Sequence, residues 1–585
     1  MAHPGGWESL TRNPADAYYN LLVQGFRAGQ LSLKKEVPPE FLRLADPYDP
    51  AAHFFYQLPP YRMLDLSYYN GRLYLYFGVT PALILFWPYV ALTGHYLFHS
   101  HAVVIFCAIG FLASVGLLRA LWRRYFAEVS AWVVAACALA LGLATSLPLL
   151  LPRSDVYEVA ISCGYMLTML ALAAIWCALH EPERRWRWLA AASVAYGLAV
   201  GARPTLLFGA VILLVPVAQS WRERRQVWRL LPAALAPIAL VGLGLMLYNM
   251  QRFGSPFEFG RRYQLNGENM LTQQFLSPHF LWSNFRAYFL EPARWSSQSP
   301  FVHSPAAPAV PIGQVEAQDP FGVLFNVPLV WLALAAPLAW RDRSEQTGSI
   351  LCWFITAMAL LFGICASTIE FFESAASRYE VDFLPALLLL AVVGILGLER
   401  VLADRTVRRR AMRWGWGLLL SFSVAFNLLA SGERYAKAHC ILGFYLRLSG
   451  RTQEAIVEFE QALRIYPDYA VVHNNLGLAL AQMGRLDDAI GHYEQAVRIK
   501  PRYAEAYNNL GTALGQEGML QEATVQFEQA LRIAPEYALA HYNLGIALEQ
   551  AGRVTEAIGQ YEQALRINPD YAEARNALAR LHASQ

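Results

Sequence analysis

Three asparagines, Asn475, Asn509 and Asn543, stand at intervals of 34 residues. A carboxamide both donates and accepts hydrogen bonds, so a row of them can hold the backbone of an extended peptide. Elsewhere the residues able to do chemistry sit among apolar ones. Arg203 lies in Gly201-Ala202-Arg203-Pro204, an interruption of a hydrophobic stretch, and Arg378 stands four residues before Asp382. A broken helix persists at membrane depth only where protein or a polar cavity satisfies the freed backbone. Arg203 therefore marks a cavity or, by snorkelling, the end of a short span at the interface. Arg378 and Asp382 have the spacing of a helical ion pair. Asp46 and Asp49, in Asp46-Pro47-Tyr48-Asp49-Pro50, have the chemistry of turns. The cysteines show no paired spacing: Cys107, Cys137, Cys163, Cys177 and Cys352 fall within apolar runs, Cys365 ends one, and Cys440 stands near the first periodic segment. Neither a disulfide framework nor a zinc or other metal site is expected from them.

The elements that carry these residues follow from composition. The chain has 585 residues, 56% of them apolar and 16% charged. That is too long for one core and too apolar for an ordinary soluble enzyme. The formal net charge of +3 gives no basic field for nucleic acid. Segments able to cross a bilayer as helices are expected near 101–118, 130–151, 157–179, 230–249, 321–340, 349–367, 381–398 and 414–430. Two shorter helices over 188–219 are expected to meet at the break beside Arg203. The arginines cluster between spans, at Arg119 to Arg124, Arg184 to Arg187, Arg222 to Arg229, Arg341 to Arg343 and Arg400 to Arg413, and one orientation puts every cluster in the cytoplasm. The same parity puts the loop 250–320, the surroundings of Arg378 and everything after Ala430 outside, which for a bacterial inner membrane is the periplasm.

The N-terminal part leaves two readings open. Leu73 to Leu92 is either a ninth long span, with residues 1–71 in the cytoplasm, or an interfacial or re-entrant piece broken by Pro81 and Pro88, with 1–71 outside. No signal peptide or first span precedes that segment, so an upstream helix is expected to be missing. The organisation read from sequence is an external loop region over 1–71, a multi-span transmembrane domain over 72–430 and a repeat domain over 436–585. The loop from Gln251 to Pro320, rich in aromatics and turn residues, is expected to fold over the outer mouth of the bundle, with disorder between Ser297 and Gln318.

From Ala436 onward the chain repeats. Pro467, Pro501, Pro535 and Pro569 are each 34 residues apart. In the second copy Leu476, Gly477, Ala489, Tyr493, Ala496 and Pro501 carry a pattern that resembles the tetratricopeptide repeat, and the third and fourth copies restate it. The fold class is therefore all-α: a polytopic transmembrane helical bundle followed by an α-solenoid of four repeats, with Ala572 to Gln585 as a capping helix. In that family the position of Asn475, Asn509 and Asn543 lines the concave groove, which implies a protein or peptide partner. Asparagine is also simply common at this position.

The membrane half carries a looser resemblance. Asp16-Ala17-Tyr18-Tyr19 with Gly25 and Gly29, then Gly78 to Gly94, Gly197 to Pro204, and Ser377-Arg378-Tyr379 before Pro385 resemble the membrane glycosyltransferases of the GT-C fold. The comparison is with the branch of protein mannosyltransferases and lipid A sugar transferases. The resemblance implies transfer of a sugar from a polyprenyl-phosphate donor on the external face, with membrane lipid as a partner and a divalent metal as a possible cofactor. It makes Asp16 the base or acceptor-orienting carboxylate, and Asp155 or Glu158, in Arg153-Ser154-Asp155-Val156-Tyr157-Glu158, the second acidic position. A hydroxyl attacking an anomeric carbon must lose a proton, and a carboxylate in hydrogen-bond reach can take it. Arg203 and Arg378 would hold the lipid phosphate, for which a planar bidentate donor is suited.

The sequence departs from that family where Ala17 follows Asp16 in place of a second acid, and where Tyr68-Tyr69-Asn70-Gly71 replaces a His-Pro-Pro-like element. Each residue also has a plainer role: Asp16 can cap a helix, and Tyr68 and Tyr69 can anchor at the interface. Two rival readings follow, a non-enzymatic scaffold in which the repeats do the recognition, and a lipid or polysaccharide transporter. A transporter would need ionisable residues through the bundle, and the spans hold almost no acids at depth.

Overall fold

The computed structural model describes residues 13–58, 61–152, 154–224, 227–273, 275–304, 321–341, 343–373 and 375–584. Most of the stretch 297–318 expected to be disordered thus lies outside the described residues, as does Arg153. The chain divides into two compact units, Met1–Tyr435 and Ala436–Gln585.

Among the described residues of the chain, eight helices have the length and apolarity needed to cross a membrane. The first unit runs through α1 (Tyr18–Arg27) and α2 (Pro50–Gln57), a hairpin of β1 (Ser67–Tyr69) and β2 (Arg72–Tyr74), and α3 (Trp87–Thr93). The long helices α4 (His99–Tyr125), α5 (Ala131–Leu143), α6 (Val156–His180) and α7 (Arg185–Ala202) follow. After them come α8 (Val215–Arg222), α9 (Leu230–Phe253), the short α10 (Leu281–Phe285) and α11 (Val323–Asn326), then α12 (Glu345–Glu370), α13 (Leu384–Val401) and α14 (Thr406–Leu448). The apolar window of α6 is 89% buried and that of α13 83%, so these two form the centre of the bundle. The window containing α9 is only 11% buried, which makes α9 an outward-facing wall.

Three expected spans take other forms. Leu73 to Leu92 is not one long helix. It consists of β2, a π-helical turn at Ala82–Phe86 and α3, with Pro81 and Pro88 at the starts of the two helical pieces. A helical stretch of Ala82–Thr93 covers about 18 Å at 1.5 Å per residue, well short of a bilayer core. The expected span 321–340 is α11 followed by a 3-10 run over Pro328–Ala339, with Pro337 inside the run giving no N–H to its ladder. The helix of the last expected span does not stop near Ser431: α14 continues to Leu448, and Gly432 passes without a break because no proline or left-handed glycine interrupts the ladder. The break beside Arg203 is real, with α7 ending at Ala202 and a 3-10 run over Pro204–Leu214 leading into α8.

Residues 65–67 are bonded to the loop after α9. The Asp65 N–H donates to the Leu265 carbonyl at 2.9 Å, the Leu265 N–H returns a bond to Leu66 at 2.8 Å, and the Ser67 hydroxyl donates to the Gly260 carbonyl at 2.8 Å. All seven cysteines are free thiols.

The second unit takes the C-terminal end of α14 as its first helix. It continues with α15 (Thr452–Ile465), α16 (Ala470–Gln482), α17 (Leu486–Ile499), α18 (Ala504–Gln516), α19 (Leu520–Ile533), α20 (Ala538–Gln550), α21 (Val554–Ile567) and the cap α22 (Ala572–Ser584). Gly477 lies against the Tyr493 ring of its own repeat, and Gly443, Gly511 and Gly545 meet Phe459, Phe527 and Tyr561 in the same way. The large ring is thus accommodated inside each helical pair by the missing side chain opposite it.

Candidate functional site

The break after α7 is positioned by a close crossing. A Cβ on Gly78 would collide with the backbone of Gly201 and Ala202, so only glycine lets the 76–80 segment pass there. A second constraint lies in the loop after α9: Gly260 has φ +94° and faces Phe253 and Ser67, and it starts the short 3-10 turn Arg261–Tyr263. These two devices bring Arg203 and Arg261 to one cavity of about 620 Å³. Its wall includes Tyr157 from the start of α6, Phe253, Phe257, Phe259, Phe275 and Phe372, and also Glu258, Arg262 and Tyr379.

Each guanidinium has a carboxylate partner. Arg203 Nη2 donates to Asp382 Oδ2 at 2.7 Å, and the Thr205 hydroxyl donates to the same oxygen at 2.9 Å. Arg261 pairs with Glu373 and stacks 5.0 Å from the Phe275 ring centre. The buried Nε atoms of Arg203 and Arg261 have no protein acceptor. Asp382 thus joins Arg203 and Thr205 on one carboxylate oxygen. Ser377–Asp382 is a 3-10 helix, whose three-residue turn puts positions i and i+4 on different faces. Arg378 stacks on two of the cavity tyrosines, 4.9 Å from the ring centre of Tyr157 and 5.2 Å from that of Tyr379, and the charge of Glu158 favours its guanidinium. Burial would raise the pKa of the Tyr379 phenol, but Arg378, Arg203 and Arg261 outweigh it and hold the group below its ordinary range. Asp65, at φ +59°, accepts from the Tyr157 hydroxyl at 3.0 Å and from Gln264 Nε2 at 2.7 Å.

The acids singled out by sequence are elsewhere. Asp16 is exposed at the end of a short 3-10 helix, Pro14–Asp16, which Asn13 caps, and it does not line the cavity. Nor does it cap α1, whose N-cap is Ala17 without a side-chain bond. Burial and the nearby Arg62 hold the Lys35 ammonium below its ordinary pKa, with Asp16 opposing them. Asp155 and Glu158 are buried and form a capping box, the Asp155 N–H donating to Glu158 Oε2 at 3.2 Å. They start α6 and thereby fix Tyr157 in the wall. Arg203 lines the cavity, the first of its two readings, while Arg378 stacks on two of its tyrosines. Arg261, Glu258, Tyr379 and Asp65 received no role from sequence. A signal for two of them exists in the adjacent pair Arg261-Arg262 beside Glu258, within an aromatic loop and away from the basic clusters between spans. Among the described residues the cavity wall offers Glu258 as its carboxylate and no cluster of three His, Cys, Asp or Glu side chains gathers there, so its residues do not fit a hard divalent ion that seeks several oxygen ligands.

In the repeats, a concave cavity of about 480 Å³ is lined by Asn475 and Asn509, together with Phe444, Arg447, Tyr503, Glu505 and Tyr537 among others. Asn543 does not reach it. Asn509 Nδ2 donates to Asn474 Oδ1 at 2.9 Å, and Asn543 Nδ2 donates to Asn508 Oδ1 at 2.9 Å. These amides tie each repeat to the one before it, which leaves Asn475 as the groove asparagine outside that ladder.

Comparison with known proteins concerns this second unit. Two family models described as tetratricopeptide repeat match, one over residues 433–502 and 468–536 and the other over 514–581. Among solved structures, the chain is similar to MamA (27% identity, TM-score 0.23), with 24% of this chain and 83% of MamA covered. It is also similar to PilF of Pseudomonas aeruginosa (26% identity, TM-score 0.25), covering 26% of this chain and 70% of PilF. YrrB, described as a TPR protein with an unusual peptide-binding site, matches at 24% identity and TM-score 0.23, over 31% of this chain and 96% of its own. No curated protein matches the chain. The chain is thus a predominantly helical protein of the all-α class whose C-terminal part is built of tetratricopeptide repeats, joined to a set of apolar helices consistent with membrane insertion.

Proposed function

We propose that the first unit is a membrane glycosyltransferase that takes a sugar from a polyprenyl-phosphate donor on the external face, and that the repeats hold a protein acceptor or assembly partner. The observation that carries this reading is the cavity in which Arg203 and Arg261 meet aromatic walls. Guanidinium groups suit a phosphate, and phenyl and phenol rings suit the faces of a sugar and the first isoprene units. A second cavity of about 620 Å³ lies among Phe26, Leu83, Trp87, Leu198, Leu245 and Tyr248, between α1, α3, α7 and α9, and offers an apolar course for the chain of such a lipid. The external placement is supported by parity: Tyr157, Arg203 and Phe253 stand at the helix ends opposite the arginine clusters.

In the transfer step the acceptor oxygen forms a bond to the anomeric carbon while that carbon's bond to the phosphate oxygen breaks. Polyprenyl phosphate leaves with its charge held by the arginines, and the acceptor proton passes to a carboxylate. Glu258 is the carboxylate on the cavity wall, its Oε1 oriented by the Gly260 N–H at 2.7 Å. The test is transfer from radiolabelled polyprenyl-phosphate sugars to a membrane extract by the full chain in lipid. Arg203→Ala abolishes transfer, Glu258→Gln lowers it by about 10²–10⁴-fold, and Asp16→Asn leaves it nearly intact. The reverse result for the two acids returns the base to Asp16. A second reading, a scaffold without catalysis, is favoured by the exposed position of Asp16; it prevails if no donor supports transfer while the full chain captures peptides through the repeats.

A further inference from the structure

At one register of the repeats, a residue of the first helix bonds across to a residue of the second. His439 Nδ1 meets Glu458 Oε2 at 2.7 Å, and His541 Nδ1 meets Gln560 Oε1 at 2.7 Å. In the second repeat the register brings together two imidazoles, with His473 Nδ1 on α16 lying 3.0 Å from His492 Nδ1 on α17. His473 Nε2 faces the Pro467 carbonyl at 2.9 Å. A carbonyl only accepts, so that nitrogen carries the proton and Nδ1 presents its lone pair toward His492. Both rings are half-buried, each with part of its surface in solvent.

We propose that His473 and His492 form a binding site for a divalent transition metal ion within the second repeat. Neutral imidazoles are the common nitrogen ligands of such ions, and a ligand histidine typically donates its other N–H to a backbone carbonyl, as His473 does to Pro467. For nitrogens 3.0 Å apart, an ion about 2.05 Å from each subtends an angle of about 94°. A widening of roughly 0.3 Å gives the tetrahedral angle at that ligand distance. No third His, Cys, Asp or Glu joins the pair among the described residues, so water completes the coordination. The ion would clamp α16 to α17 beside the groove residues Asn474 and Asn475.

The test is calorimetric titration of the full chain in detergent with Zn²⁺, comparing wild type, His492→Gln and His439→Gln. Glutamine already occupies the matching position in the next two repeats, at Gln526 and Gln560, so His492→Gln keeps the fold and a bond to His473. The expected result is one Zn²⁺ site in wild type and in His439→Gln that weakens at least about tenfold in His492→Gln, with unchanged circular dichroism. Equal Zn²⁺ binding by wild type and His492→Gln, or none by wild type, overturns the proposal.

Discussion

The two units hold their polar groups in opposite ways. In the helical bundle the decisive pairs join distant parts of the chain: Arg203 and Asp382 are 179 residues apart, Arg261 and Glu373 112, and Asp65 and Tyr157 92. In the repeats the pairs are short-range or follow the period, as in Arg485 with Asp488 three residues on and Asn509 with Asn474 35 back. The burial differs as well. The side chains of Arg203 and Asp382 are 12% and 2% exposed, against 54% and 52% for Arg485 and Asp488. A buried pair holds two parts of a fold in register because leaving one charge alone in a low dielectric is costly, whereas an exposed pair is replaced by water at little loss.

The largest effect expected from this contrast follows from breaking the buried pair. Arg203→Ala strands Asp382 and costs roughly 3–5 kcal/mol, read as a lower melting temperature of the full chain in detergent. Arg485→Ala costs about 0–1 kcal/mol, and equal losses from the two variants would erase the distinction between the units.

Next in size is the pH response of the bundle. Glu380 is 3% exposed, and burial pushes its carboxyl up to about 8, with the Ser146 hydroxyl at 2.6 Å and Arg434 pulling the other way. The folded pKa lies above the unfolded one, so the group's contribution is fully present below the ordinary carboxylate range and is lost as pH rises to about 8. The loss amounts to at most about 1.4 kcal/mol per pH unit. Glu380→Gln therefore flattens the pH dependence of thermal unfolding and stabilises the protein at the alkaline end. An unchanged slope would show that Glu380 is ionised in the fold.

The smallest effect sharpens the repeat side of the comparison. Asn509→Ala removes one bond between adjacent repeats, which costs about 1 kcal/mol, while Asn475→Ala, outside the ladder, leaves stability unchanged and weakens peptide capture. Denaturant unfolding and peptide binding on the same two variants separate the roles.

The repeats were legible because each contact recurs every 34 residues, and the pattern of Gly477, Ala489, Tyr493 and Pro501 records it several times over. The long apolar helices were legible for a related reason: a bilayer imposes its thickness on composition. The 3-10 form of the expected span 321–340 was not legible, because hydropathy counts apolar residues and says nothing of the hydrogen-bond pattern they adopt. The cavity was half visible. Arg203 stood out beside a chain break, but the weight placed on Asp16, Asp155 and Glu158 came from local motifs, and two of those acids begin a helix.

By itself, then, the sequence determined the helical class, the repeat array, the apolar helices and the break at Arg203, since each rests on periodicity or on composition within a short window. Only the tertiary structure decided that Asp382 serves Arg203, that Arg261 and Glu258 share its cavity, and that Asn509 and Asn543 are tied to the preceding repeat. The pairings in the bundle depend on backbone crossings such as Gly78 against Gly201, which join segments more than a hundred residues apart and leave no spacing in the chain to read.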